Sequence, residues 1–211
     1  MAVICPTVTV NTDDLHEYRR QMERVENLSN RIQVDLMDKE FTGVASPEID
    51  KIWFPENLNV DLHLMYKNPA DVLNEVMELK PKLLIVHAEA VVDIPTLAGA
   101  LSEAGIRLGM ALLQDTPVDA VKPHLEYLSH VLIFSGDLGH YGGEANLALL
   151  EKVTQLRAVK PDLEIGWDGG VSPSNAKKLA ESGVDVLNAG GYIQESADPM
   201  VAFQALTASL L

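Results

Sequence analysis

Eight strand-like runs recur along this 211-residue chain, near 2–9, 31–37, 59–65, 82–88, 106–112, 129–135, 163–168 and 184–189. Amphipathic stretches near 13–28, 69–80, 93–104, 116–125, 144–159 and 174–182 fall between them, and a last one lies near 198–210. The second connection, around 46–52, has room only for a short helix. Asn11-Thr12-Asp13, Asn68-Pro69, Asp115-Thr116-Pro117 and Ser172-Pro173-Ser174 supply helix caps or first-turn prolines, and Gly105 and Gly183 stand where helices should end. Strands separated by helices form parallel sheets, because a parallel neighbour is reached only by a crossover. Such a sheet is either open and doubly wound or closed into a barrel. Dividing 211 residues by eight units leaves about 26 per unit, which suits a compact (β/α)₈ barrel. Polar residues at the C-terminal ends of several different strands favour the barrel as well, since an open sheet gathers them at one switch point. The expected fold is α/β, a single TIM barrel domain over 1–211 with no linker.

The strands carry two unlike faces. In 31–37, Ile32, Val34 and Leu36 share one parity, while Gln33, Asp35 and Met37 share the other. Val60, Leu62 and Leu64 alternate with Asp61, His63 and Met65. Leu163, Ile165 and Trp167 alternate with Glu164, Gly166 and Asp168. Side chains of a strand point to opposite faces with period two. A half-solvated strand shows the same pattern, but barrel strands are covered outside by helices, so here the apolar parity faces out. Gln33, Asp35, His63 and Asp168 then converge inside, towards one mouth.

Composition narrows the partners. The formal charge is −15, which disfavours nucleic acid and anionic membranes as general partners. An anionic small molecule remains compatible, because backbone amides hold phosphate without net positive charge. No apolar run is long enough to span a bilayer. The N-terminus reads as a strand and lacks the charged start of a signal peptide. Cys5 is the only cysteine, so no intrachain disulfide forms, and a reducing cytoplasm is the expected compartment. Cys5 itself reads as a buried structural residue.

Val34-Asp35-Leu36-Met37-Asp38, Asp61-Leu62-His63-Leu64-Met65, Val86-His87-Ala88-Glu89-Ala90 and Trp167-Asp168-Gly169-Gly170 follow one another at a characteristic spacing. Gly109-Met110-Ala111-Leu112 with Thr116-Pro117, and Pro6-Thr7 near the start, extend the series. In these motifs, over nearly its whole length, the chain resembles the ribulose-phosphate 3-epimerases. The resemblance implies a ribulose-phosphate-binding barrel that interconverts ribulose 5-phosphate and xylulose 5-phosphate by inverting one carbon beside a ketone. It implies Asp35 and Asp168 as the acid/base pair on opposite faces of the substrate. A divalent metal (Zn, Mn, Fe or Mg) is implied too, its ligands falling on Gln33, Asp35, His63 and Asp168. Substrate and phosphate contacts fall on Thr7, His63, Gly142, Gly143, Gly169, Gly170, Gly190 and Gly191. Met37, Met65 and His140 stand where they can line the site, the methionines serving equally as core filler and His140 equally as a surface histidine. His87 and Glu89 read as supporting residues. The partner implied is a phosphorylated ketose, and a homo-oligomer fits the family.

Two departures stand out. Gln33 replaces the family's first histidine, giving a neutral oxygen donor where zinc prefers imidazole. The loop Leu138-Gly139-His140-Tyr141-Gly142-Gly143-Glu144 carries one extra residue and places acidic Glu144 where the family has glutamine. Phe134 also stands in place of a family methionine. These changes keep open a barrel that binds a sugar phosphate without catalysis. Decarboxylation on the same scaffold would use an Asp-x-Lys-x-x-Asp arrangement, which Asp35-Leu36-Met37-Asp38-Lys39 lacks.

Overall fold

In the computed structural model, which describes residues 2–140 and 142–211, eight parallel strands close into a barrel in sequential order, β1 pairing with β8. They are β1 (Val3–Thr9), β2 (Arg31–Met37), β3 (Asn59–Met65), β4 (Leu83–His87), β5 (Arg107–Leu112), β6 (His130–Phe134), β7 (Glu164–Asp168) and β8 (Val186–Ala189). Each lies within about a residue or two of the run expected from the sequence. Around them lie α1 (Leu15–Val25), α2 (Lys39–Thr42), α3 (Leu73–Leu79), α4 (Ile94–Glu103), α5 (Leu150–Val159), α6 (Ala176–Glu181), α7 (Gly191–Gln194) and α8 (Pro199–Ala208). Three of the longer helices, α1, α4 and α8, begin at side-chain caps: Asp14 accepts from the amides of His16 and Glu17, Asp93 from Thr96, and Asp198 from Met200 and Val201. Each cap satisfies amides that have no partner within the helix.

One connection departs from expectation. The stretch 116–125 is not an α-helix but two 3₁₀ turns, Val118–Ala120 and Lys122–His124. Pro123 lies in its second half, where a proline removes a hydrogen bond and its ring clashes with the preceding turn. Val118 and Val121 are still buried, so two tight turns cover the sheet where a helix would have lain. In the second connection, the short helix expected near 46–52 is a 3₁₀ turn at Ile49–Lys51, preceded by α2.

The core has two unequal parts. Outside the strands, Ile32, Val34, Leu36, Leu62, Leu64 and Trp167 pack with Met22, Leu101, Val153, Leu179 and Leu206 from the helices in one continuous cluster. Each such side chain contributes about 1.5–3 kcal/mol of burial. Inside the barrel, the apolar cluster among the described residues is small, Leu83, Ile85, Ala111 and Leu132, all from β4, β5 and β6. Much of the remaining interior is polar and buried: Gln33, Asp35, Asp61, His63, His87, His130, Asp168 and Asn188. The alternation in the sequence is thus between two buried faces, one apolar and one chemical.

At the N-terminal end of the barrel this interior is neutralised by ion pairs. Arg31 donates to Asp61 at 2.7 Å and, with both terminal nitrogens, to Glu164 at 2.8 Å. His130 Nδ1 lies 2.8 Å from the same Glu164 carboxylate. Gly166 makes room for this layer, since a Cβ there would stand 2.6 Å from His130 Nε2.

Candidate active site at the barrel mouth

Asp35 and His63 face each other in the register of β2 and β3, and Asp168 ends β7 across the barrel. Gln33 joins the two carboxylates: its Nε2 donates to Asp35 Oδ1 at 2.8 Å and to Asp168 Oδ2 at 2.6 Å. The other end of the same amide, Oε1, is buried without a partner. Thr9 Oγ1 donates to Asp35 Oδ2 at 2.6 Å. His63 Nδ1 stands 3.1 Å from Asp35 Oδ1 and 3.7 Å from Asp168 Oδ2. Burial, and after it the Asp35 charge, pushes the Asp168 carboxyl well above the usual carboxylate range.

Behind His63 runs a chain of partners. His63 Nε2 lies 2.8 Å from His87 Nε2, and His87 Nδ1 lies 3.3 Å from Glu89 Oε2. Glu89 also accepts from the Thr116 hydroxyl and from the Leu113 amide. Burial holds the His87 imidazolium down to about 4, so the ring is neutral near pH 7. Burial alone would raise Glu89, but its hydrogen bonds to His87 and Thr116 outweigh it and keep the carboxylate ionised. A neutral His87 donating from Nδ1 to Glu89 presents Nε2 as an acceptor. His63 must then donate from its own Nε2, which leaves the Nδ1 lone pair directed at Asp35 and Asp168. Two carboxylates and an imidazole lone pair, with ligand atoms all within 4.8 Å of one another, form a group that can hold a metal ion.

Above this group opens a cleft of about 540 Å³. Asp35, Asp168, Thr7, Thr9 and Met65 form part of its wall, and three glycine pairs on the loops after β6, β7 and β8 form its rim: Gly142 and Gly143, Gly169 and Gly170, Gly190 and Gly191. Gly169 and Gly170 adopt φ of +111° and +70°, and a Cβ on either would stand 2.2 Å or 2.1 Å from the amides of Gly136 and Ala145. Only glycine lets the two loops approach so closely. His140 lines the cleft too, as do Glu144 and Glu195, both exposed. Tyr141 lies outside the described residues.

Of the residues expected from the sequence, Thr7, Asp35, Met65, His140, Asp168 and the six glycines line the cleft. Gln33, His63 and Met37 do not line it, and all three are essentially without exposure. Thr9 and Asn188 were not anticipated. Thr9 shares the parity of Thr7 on β1, and Asn188 lies opposite Asp168 in the β7–β8 register, so parity and register were the signals available.

The model of the ribulose-phosphate 3 epimerase family matches residues 6–194. This chain belongs to that family. Among its curated relatives, the ribulose-phosphate 3-epimerase of Helicobacter pylori strain J99 is 28% identical over 200 residues, covering 90% of this chain and 92% of the relative. The cytoplasmic isoform of Oryza sativa subsp. japonica is 29% identical over 186 residues, covering 85% and 82%. Family membership places the chain among the isomerases. The solved 3-hexulose-6-phosphate synthase of Salmonella typhimurium superposes with a TM-score of 0.71 at 18% identity, covering 99% of this chain and 98% of that one. That likeness concerns the barrel alone.

Proposed function

We propose that this chain is a sugar-phosphate 3-epimerase that interconverts ribulose 5-phosphate and xylulose 5-phosphate by transferring protons through Asp35 and Asp168. The observation that carries this reading is two buried carboxylates from opposite sides of the barrel, tied by the single Gln33 amide and open to one glycine-rimmed cleft. Inversion at a carbon beside a ketone needs one group to remove a proton from one face and another to return a proton to the opposite face. Asp35, held by Thr9 and Gln33, and Asp168, on the other side of the cleft, supply that pair. Burial and the neighbouring Asp35 charge favour the protonated form of Asp168, the kind of asymmetry that close like charges impose. The glycine loops offer backbone amides to the phosphate, so no lysine or arginine is required at the rim.

Asp35, His63 and Asp168 fit a divalent cation, because the orientation of His63 leaves three donors facing one another. The orphaned Gln33 oxygen supplies a fourth donor once the amide exchanges its two ends. Such an ion would act as a Lewis acid on the ketone oxygen, lowering the cost of charge at the neighbouring carbon. With two carboxylates, one amide oxygen and one imidazole, the donor set suits manganese, iron or magnesium as well as zinc. On the same reading, residues 1–211 form one barrel domain working in the cytoplasm on a phosphorylated ketose.

The test is deuterium incorporation at carbon three of ribulose 5-phosphate in D₂O, followed by NMR with chelated and metal-reloaded protein. Exchange that returns on reloading, with xylulose 5-phosphate accumulating, is the expected result. Folded, reloaded protein that exchanges nothing would reject the assignment.

A further inference from the structure

Asn188 is a polar residue of the barrel interior for which the proton-transfer scheme has no use. It stands on β8, in register with Asp168 on one side and Cys5 on the other. Its neighbours Leu187 and Ala189 belong to the outer apolar cluster, so Asn188 takes the opposite parity and points inside. It is 2% exposed, it lines the cleft, and both ends of its amide, Nδ2 and Oδ1, lack a partner. A buried amide that satisfies neither donor nor acceptor is rare in a folded protein, and one that opens onto a cleft is placed to meet a polar group that enters it. An apolar side chain would pack here at no such cost.

The position says what the ligand offers. Asp168 is the lateral neighbour of Asn188, and Gly190 and Gly191 follow it by two and three residues, so the amide lies beside the proton-transfer pair on the strand that leads to the glycine rim. Thr7 on the adjoining strand adds a hydroxyl whose one hydrogen bond among the described residues is a long 3.4 Å bond to the Cys5 carbonyl. A group that gives and accepts hydrogen bonds at once meets an amide of this kind best, and among small neutral groups the hydroxyl does so. Resting on the epimerase reading, we propose that Asn188 reads the hydroxyl on carbon four of the ketose phosphate, between the reacting carbon and the phosphate-bearing one. Asn188 is thereby a specificity-determining residue, which demands a polyol chain rather than a deoxy one.

The experiment compares the chain with Asn188→Val, using ribulose 5-phosphate and its 4-deoxy analogue, and adds calorimetric binding of the unreactive ribitol 5-phosphate. The unaltered protein should prefer the hydroxylated substrate in kcat/KM by about 10-fold to 100-fold. Asn188→Val should abolish that preference, weaken ribitol 5-phosphate binding by a similar factor, and raise the unfolding midpoint, because an unmet amide is gone. Asn188→Thr, which restores a hydroxyl in the shape of valine, should recover part of the preference. A residue kept only for packing would show the reverse, a lower midpoint with specificity unchanged. If Asn188→Val weakens both substrates equally, the amide serves the phosphate and the proposal is wrong. If it retains the full preference, the inference falls and the epimerase reading stands. If the unaltered protein neither exchanges protons nor binds ribitol 5-phosphate, the epimerase reading falls and takes Asn188 with it.

Discussion

The two ends of the barrel are built from the same strands and answer their buried charges in opposite ways. β2 supplies Arg31 at the bottom and Asp35 at the top, β3 Asp61 and His63, and β7 Glu164 and Asp168. At the bottom every carboxylate meets a cation: Asp61 has Arg31, and Glu164 has Arg31, His130 and, at 3.6 Å, Arg107. At the top Asp35 and Asp168 share an amide and a histidine, and neither lysine nor arginine lines the described cleft. Buried charge is therefore no mark of a site in itself. The mark is buried charge that the protein leaves uncompensated, because a proton, a metal ion or a substrate must then complete it.

The largest effect should come from the top. Asp35→Asn and Asp168→Asn should each lower proton exchange by about 100-fold to 10,000-fold or more, with the unfolding midpoint unchanged or higher because like-charge repulsion is relieved. A variant that kept most of its exchange would erase the contrast between the two ends. The opposite signature is expected below. Glu164→Gln should cost about 1–3 kcal/mol of stability, lowering the midpoint by roughly 2–4 °C for each kcal/mol, with kcat/KM within a few-fold at permissive temperature. Its pH dependence sharpens the point. Burial alone would raise Glu164, yet hydrogen bonds from Arg31 and His130 outweigh it and hold the carboxyl well below the usual range. A group depressed on folding stabilises above its unfolded value of about 4.3 and loses that contribution as the pH falls towards its folded value. Denaturation curves of the original and Glu164→Gln proteins should therefore lie apart near pH 7 and converge in acid. Curves that stay equally separated would show that ionisation of Glu164 plays no part. The smallest change should follow Gln33→His, which replaces an amide oxygen by imidazole among the donors. Zinc affinity should rise by about 10-fold, as read by competition with a chromophoric chelator, and an unchanged affinity would remove position 33 from the ligand set.

Much of this contrast could be read before any coordinates. The parity of Gln33, Asp35, Asp61, His63, Glu164 and Asp168 placed them all inside, and the order of the strands placed some at the mouth. What parity could not tell was which carboxylates would find cations, because Arg31 meets Glu164 only when β2 and β7 come together across the closed barrel. The supporting role expected of His87 lacked its partner for a similar reason: its bond to His63 joins β3 to β4, and no local pattern records a contact between ring nitrogens. Asn188 was overlooked in the stretch Val184-Asp185-Val186-Leu187-Asn188-Ala189, where hydrophobicity marks the strand but says nothing about a single polar residue near its end. The stretch 116–125 misled in the other direction. Its apolar spacing is that of a helix, and Pro123 broke it into turns that bury the same valines.

The close approach at Gly169 and Gly170 has a consequence for anyone who would redesign this cleft. A backbone-to-backbone contact between the loop after β7 and the loop carrying Gly136 and Ala145 has no side chain to trim or rotate, so neither loop can be reshaped while the other keeps its path. The two behave as one interlocked part of the rim. Grafting the loop after β6 from another barrel, with its own length and phosphate-binding chemistry, should succeed only when the loop after β7 is transplanted along with it.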